Sequence, residues 1–200
     1  SADDGAASNN PAAYRPIVAT LNFNPRHLDP DTADPAAFLE ARVDTATHEL
    51  MHALGFHRFF FDLRGLITHA VIAGVNRTLF TGASALQLAR AHTGCPTLPG
   101  VELARADASH WTRKGFDGDL MVAAGGYALS ELSVAALVDL NVGYVRNAAA
   151  AYERTVWGRG VGCGPYTAPC NTTEGGAGTL FCFDASGNGN PSAGDTRRCT

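Results

Sequence analysis

A helix that starts after Asp34 and ends at Gly55 is the feature that most constrains the fold of this 200-residue sequence. Asp34 can cap the helix, and Pro35 suits its first position because the N–H that proline lacks would have no partner there. Apolar residues recur along it at helical spacing, namely Leu39, Val43, Ala46, Leu50 and Leu54. Gly55 is well placed to end the helix. We therefore expect one long helix with a single buried apolar stripe.

Two histidines and a glutamate lie near the end of this helix, in the sequence His48-Glu49-Leu-Met-His52. Side chains four residues apart project from the same face of a helix, here the face opposite the apolar stripe. Such a pair of imidazoles can chelate a metal ion, and Glu49 is close enough to act on a water at the metal without being a ligand. The alternative is that both histidines are partly buried polar residues of an amphipathic helix.

A catalytic zinc site needs three protein ligands and an open position, so a third ligand must come from another part of the chain. The five remaining histidines are His27, His57, His69, His92 and His110. His27, His69 and His92 fit surface or core roles. Compact metzincins place the third histidine ten residues after the first; that position is Arg58 here, and His57 misses it by one residue. The residues alone leave the third ligand open.

The rest of the chain mixes further helices with one strand and extended loops. Residues 1–13 are small and polar and read as a loose arm, and the alternating apolar residues of Ile17–Phe23 predict a strand. Helical patterns follow over Ala83–His92 and, after the cap residue Ser130, up to Leu140; the second is apolar nearly all round, so we expect it to be buried.

Cysteine placement indicates a disulfide-bonded tail in an oxidising compartment. Four of the five cysteines lie in the last 38 residues (Cys163, Cys170, Cys182 and Cys199), without the CxxC pairs typical of zinc knuckles. The sequons at Asn76 and Asn171 agree with secretion or a cell-surface location. Because five is odd, at least one cysteine is free or pairs with another chain or a segment outside this one.

Charge and hydropathy exclude two classes of partner. The net charge is −4 and no run of five like charges occurs, so we expect no nucleic-acid or anionic-membrane binding. The most apolar stretch, residues 66–75, is far shorter than the roughly 18 residues of a membrane span. The first residues lack the basic and apolar segments of a signal peptide, so the numbering is expected to start within a precursor.

Several segments together resemble the leishmanolysin family of zinc metallopeptidases. The sequence His48-Glu49-Leu-Met-His52-Ala-Leu-Gly55-Phe56 is followed by a long insertion, by Ser109-His110-Trp111 and by Asp119-Leu-Met121. Further similar segments occur in the same order: Arg15-Pro16 with Asn22 and Pro25, Ala89–Leu98, Leu132–Asp139 and Trp157–Cys163. The resemblance covers roughly residues 15–165, which is far more specific than the five-residue motif.

The resemblance implies an α+β fold with a metzincin-like catalytic region whose N-terminal part is incomplete. Because the sequence is loop-like from Trp157 onward, we expect this region to span residues 1–156 and a Gly/Cys-rich, disulfide-bonded tail to span residues 157–200, unless shared disulfides merge the two. The resemblance implies His110 as the third Zn²⁺ ligand and places Met121 in a Met-turn packed under the metal. It also suggests a Cys95–Cys163 disulfide, which leaves an odd three cysteines in the tail.

The function implied is that of a zinc-dependent endopeptidase in which His48, His52 and His110 hold the metal and Glu49 is the general base. Its partner would be an extended peptide or protein substrate, paired along the strand Ile17–Phe23. The alternative is a non-catalytic extracellular binding or assembly module that retains the protease fold.

Overall fold

The computed structural model describes residues 15–27 and 34–167. Within these ranges the chain mixes helices with a small sheet, as the α+β expectation requires. The predicted loose arm, the sequon at Asn171 and the cysteines at 170, 182 and 199 lie outside the described residues. No helix in the described part of the chain has the length and apolar character needed to cross a bilayer.

The described residues form six α-helices, three strands and a short 3₁₀ helix over Pro25–His27. In chain order the α-helices and strands are α1 (Pro35–Ala53), α2 (Arg58–Leu63), β1 (Ile67–Ile72), β2 (Val75–Phe80), α3 (Ala83–Thr93), β3 (Val101–Leu103), α4 (Arg113–Phe116), α5 (Glu131–Asp139) and α6 (Gly164–Thr167). The strands form an antiparallel sheet in the order β1-β2-β3, with Phe80 opposite both Ile67 and Val101. Ala73 and Gly74 turn the β1–β2 hairpin with positive φ angles, which suits a two-residue turn.

An aromatic cluster joins the elements that surround the two histidines of α1. Phe56 follows α1, Phe61 is in α2, Phe80 ends β2, and Trp111 directly follows His110; all four are at most 1% exposed. Phe56 and Phe80 each meet the Trp111 ring edge-on, with centroids 5.0 Å and 5.6 Å apart. The core therefore holds Trp111, the neighbour of His110 in sequence, against Phe56 at the end of α1.

The start of α1 is as predicted, but its buried face is not. Asp34 accepts hydrogen bonds from the backbone N–H groups of Ala36 and Ala37, which confirms the cap. The predicted buried stripe is wrong: Leu39 is 64% exposed and Leu50 48% exposed, whereas Met51 is buried. The helix packs through its histidine side. Periodicity shows which residues share a face, but not which face another element covers.

The predicted strand over Ile17–Phe23 is also wrong. These residues form no strand, and the Ile17 side chain is 91% exposed. A strand is stable only when a neighbouring backbone satisfies its N–H and C=O groups, and no other described residue pairs with this segment. It therefore provides no ready-made strand edge for a substrate.

The two later helices and the disulfide are confirmed. Residues 83–93 form α3, and α5 buries most of its side chains, as its apolar sequence predicts. Cys95 and Cys163 are bonded to each other. The segment before Cys163 continues the fold, because Gly160 and Gly162 donate backbone hydrogen bonds to the last turn of α3. A boundary near residue 157 stays a prediction, since residues 168–200 are not described.

Candidate metal centre

Three histidines from two distant parts of the chain meet at one point. The Nε2 atoms of His48, His52 and His110 lie 3.1 Å apart in all three pairs. His48 and His52 project from one face of α1, and His110 comes from the loop after β3. All three are half-buried. The structure therefore brings together the two motif histidines and the one that the resemblance supplied, in positions that can bind a metal ion.

The size and chemistry of this group fit a tetrahedral ion such as zinc. Two nitrogens bound tetrahedrally at about 2.0–2.1 Å from zinc lie roughly 3.3–3.4 Å from each other. The observed triangle, with sides of 3.1 Å, is close to that size. Three imidazoles also leave a fourth position for a non-protein ligand, as catalytic zinc sites require.

Each of the three imidazoles has its other nitrogen fixed by an oxygen acceptor. Nδ1 of His48 lies 2.6 Å from the Leu120 carbonyl, and Nδ1 of His52 lies 2.7 Å from the Phe56 carbonyl. Nδ1 of His110 lies 2.8 Å from Oδ2 of Asp107. Because these oxygens accept, each Nδ1 carries the proton and each Nε2 keeps its lone pair for a metal.

Burial favours the uncharged imidazole that a metal ligand requires. It lowers the pKa of His52, and the neighbouring imidazoles of His48 and His110 act in the same direction. The hydrogen bond to the Phe56 carbonyl opposes this shift. Neutral His52 is therefore easier to maintain here than in water, which helps metal binding near neutral pH.

The segment Asp119–Met121 holds the His48 ring in place through a hydrogen bond. The Leu120 carbonyl accepts the His48 proton, and the fully buried carboxylate of Asp119 accepts hydrogen bonds from the Met121 N–H and the Ser133 hydroxyl, both 2.7 Å away. The Ser130 hydroxyl donates to the other oxygen of Asp119. Met121 is fully buried, which agrees with the buried position that the resemblance implied. Its place in a Met-turn under the metal stays an implication of the resemblance.

The comparison with known sequences decides the family. The family model of the leishmanolysin peptidases matches residues 8–192 of the chain. The chain belongs to the leishmanolysin family. A leishmanolysin homologue from Crithidia fasciculata is 31% identical over 152 residues, covering 68% of this chain and 23% of that protein. Leishmanolysin from Leishmania tropica is 32% identical over 171 residues, covering 76% and 25%. The chain thus spans about a quarter of the length of these relatives.

In this leishmanolysin-family chain, Glu49 lies beside the histidines at the edge of a cavity. The side chain is exposed on α1. With His48 it lines a cavity of about 400 Å³, whose opposite wall is formed by residues 120 and 122–127. Asp44 and Thr45, one turn earlier on α1, lie on the same side. A carboxylate in this place can reach a water or a substrate group in the cavity.

The other described histidines have structural roles in the leishmanolysin-family fold. His57 caps α2, accepting a hydrogen bond from the Phe59 N–H at Nδ1. His69 lies on β1 next to the Thr78 hydroxyl, and His92 donates to the Trp157 carbonyl at 2.7 Å. None of these three joins the metal-binding group found among residues 15–27 and 34–167. The side chain of His27 is not described.

The oxygen acceptors around the ligands are what sequence reasoning missed. Asp107 precedes His110 by three residues, and a carboxylate at that spacing is a signal that a sequence search could have used. The carbonyls of Leu120 and Phe56 leave no such signal, because every residue has a carbonyl and only the folded backbone selects one.

Proposed function

We propose that this chain is a zinc-dependent endopeptidase, with His48, His52 and His110 as zinc ligands and Glu49 as general base. The observation that supports this most is the convergence of three Nε2 atoms beside an exposed glutamate on the same helix. Membership of a metallopeptidase family adds independent support. A non-catalytic module would not need Glu49, whereas the proposed reaction depends on it.

The chemistry divides between the metal and this chain's own residues. A zinc ion held here would supply a Lewis acid that polarises a peptide carbonyl and lowers the pKa of a bound water to about 7. Glu49 accepts the proton of the attacking water and then donates it to the nitrogen of the leaving amine. Leu120, Phe56 and Asp107 keep the three imidazoles in the tautomer that exposes Nε2.

The substrate is proposed to be an extended peptide or protein that crosses the cavity between α1 and residues 120–127. Residues 123–125 in its wall are exposed, and their backbone would bind main-chain groups, which every peptide has. We also propose a secreted or cell-surface location. The Cys95–Cys163 disulfide supports it, as does the exposed position of the Asn76 sequon on β2.

Zinc content and cleavage of an unfolded protein, each measured with and without a chelator, test the proposal. Glu49→Gln removes the base but no zinc ligand, so we expect the variant to keep its zinc and to lose about 10²- to 10⁴-fold in turnover. Glu40→Gln is the matched control, because Glu40 is exposed on the same helix away from the ligands; it should cleave like the unmodified chain. A Glu49→Gln variant with full activity would reject the mechanism, and a zinc-loaded chain without cleavage would support the non-catalytic module.

A further inference from the structure

We infer that Asp107 is a positioning residue that fixes the proton and the ring of His110 and thereby sets the metal affinity of the site. The inference rests on the proposed zinc site and adds a residue that the motif does not contain. Asp107 touches no group that reacts, so its effect would pass entirely through His110.

Both oxygens of the Asp107 carboxylate have their own donor. Oδ2 accepts from Nδ1 of His110 and Oδ1 accepts from the backbone N–H of Ser109, each at 2.8 Å. Ala108 lies between them with a φ of +54°, so the chain turns back and brings residue 110 over residue 107. The carboxylate therefore braces the turn and the imidazole at the same time.

Asp107 differs in kind from the partners of the other two ligands. His48 and His52 donate to backbone carbonyls, which are uncharged. The partner of His110 is an ionisable side chain that is 43% exposed, whereas the imidazole it contacts is 16% exposed. A carboxylate at Nδ1 makes the opposite nitrogen a stronger donor to a metal, and loss of such a partner typically costs 10- to 100-fold in affinity.

The simpler alternative is that Asp107 serves only to shape the turn through Ser109. Asparagine separates the two roles, because its side chain stabilises such a turn as well as aspartate does. It has one oxygen and one NH₂ group in place of two oxygens. If the oxygen stays on the Ser109 N–H, the NH₂ faces Nδ1 of His110 and favours the proton on Nε2, where the metal would bind. If the amide flips, the bond to Ser109 is lost.

Zinc affinity of the full chain, measured by competition with a chromophoric chelator, tests the inference. We expect Asp107→Asn and Asp107→Ala each to bind zinc about 10- to 100-fold more weakly than the unmodified chain. Asp62→Asn is the control, since Asp62 has a similarly exposed carboxylate that contacts Arg58 and no histidine; its affinity should be unchanged. Unfolding midpoints of the zinc-free proteins would verify that the variants are folded.

The possible results separate this inference from the proposed function. If Asp107→Ala weakens zinc binding while Asp107→Asn binds normally, the charged carboxylate does not set the metal affinity and the inference is overturned. If both variants bind zinc normally, Asp107 has no role in the site, although the zinc site itself stands. If the unmodified chain fails to bind zinc, the proposed function fails and the inference fails with it.

Discussion

At the scale of a single residue, the ionisation of Asp119 makes the stability of the fold depend on pH. Burial raises its pKa to about 6, although hydrogen bonds from Ser130, Ser133 and the Met121 N–H act in the opposite direction. Because the folded-state pKa lies above the unfolded value of 3.8, the fold favours the protonated form. The stability that Asp119 contributes is therefore complete below about pH 4 and is lost as the pH rises to 6.

Asp119→Asn should abolish this loss, since an amide does not titrate. In the zinc-free protein, the unfolding free energy of the variant minus that of the unmodified chain should rise by about 2–3 kcal/mol between pH 4 and pH 7. Urea unfolding at several pH values measures the difference. Parallel stability curves would mean that Asp119 does not titrate in this range.

How far a residue's role can be predicted from sequence depends on what defines that role. His48, Glu49 and His52 are predictable because four-residue spacing on a helix already places two imidazoles together. His110 could be selected only through the family resemblance, because its position relative to α1 depends on the packing of Trp111 against Phe56. Asp119 lies in a segment that carries the resemblance, but the sequence assigned it no role of its own, since its importance comes from burial.

At the scale of an element, the different exposure of two neighbouring residues in α1 gives a testable prediction. Leu50 belongs to the apolar stripe and is 48% exposed, whereas Met51 is 4% exposed and packs in the core. Leu50→Ala should therefore change the unfolding free energy by less than about 0.5 kcal/mol, and Met51→Ala should lower it by about 2–5 kcal/mol. Chemical denaturation of the two variants measures this. Equal losses, or a larger loss at Leu50, would mean that another surface covers the stripe in solution.

Elements were predictable where their signals are local. Asp34 and Pro35 define the start of α1 within a few residues, and the all-round apolar sequence of α5 implies burial whatever its neighbours are. The strand over Ile17–Phe23 failed for the opposite reason. Strand formation depends on a partner that lies elsewhere in a polypeptide, and an alternating pattern does not show whether the partner is present.

At the scale of the whole molecule, the Cys95–Cys163 disulfide closes a loop that contains only one of the three histidines of the candidate metal centre. His110 lies inside the loop of 68 residues that the bond closes, whereas His48 and His52 lie outside it, on α1. Closing a loop of this length removes chain entropy from the unfolded state, worth about 4 kcal/mol in the simplest treatment. Replacing both cysteines by serine should lower the unfolding free energy by roughly that amount and weaken zinc binding, because it loosens the segment that carries His110 relative to α1.

Comparing the loss of stability with the loss of zinc affinity distinguishes a global from a local role of the disulfide. Cys163 follows Gly160 and Gly162, whose hydrogen bonds to α3 do not need the sulfur bridge, so the native fold should persist without it. In that case the zinc-free double variant has a lower unfolding midpoint but an unchanged circular dichroism spectrum at 10 °C, and zinc restores part of the lost stability because it binds the folded state alone. Matched measurements of unfolding and zinc affinity decide the matter. An affinity equal to that of the unmodified chain would show that the aromatic cluster around Trp111 holds His110 in place without help from the disulfide.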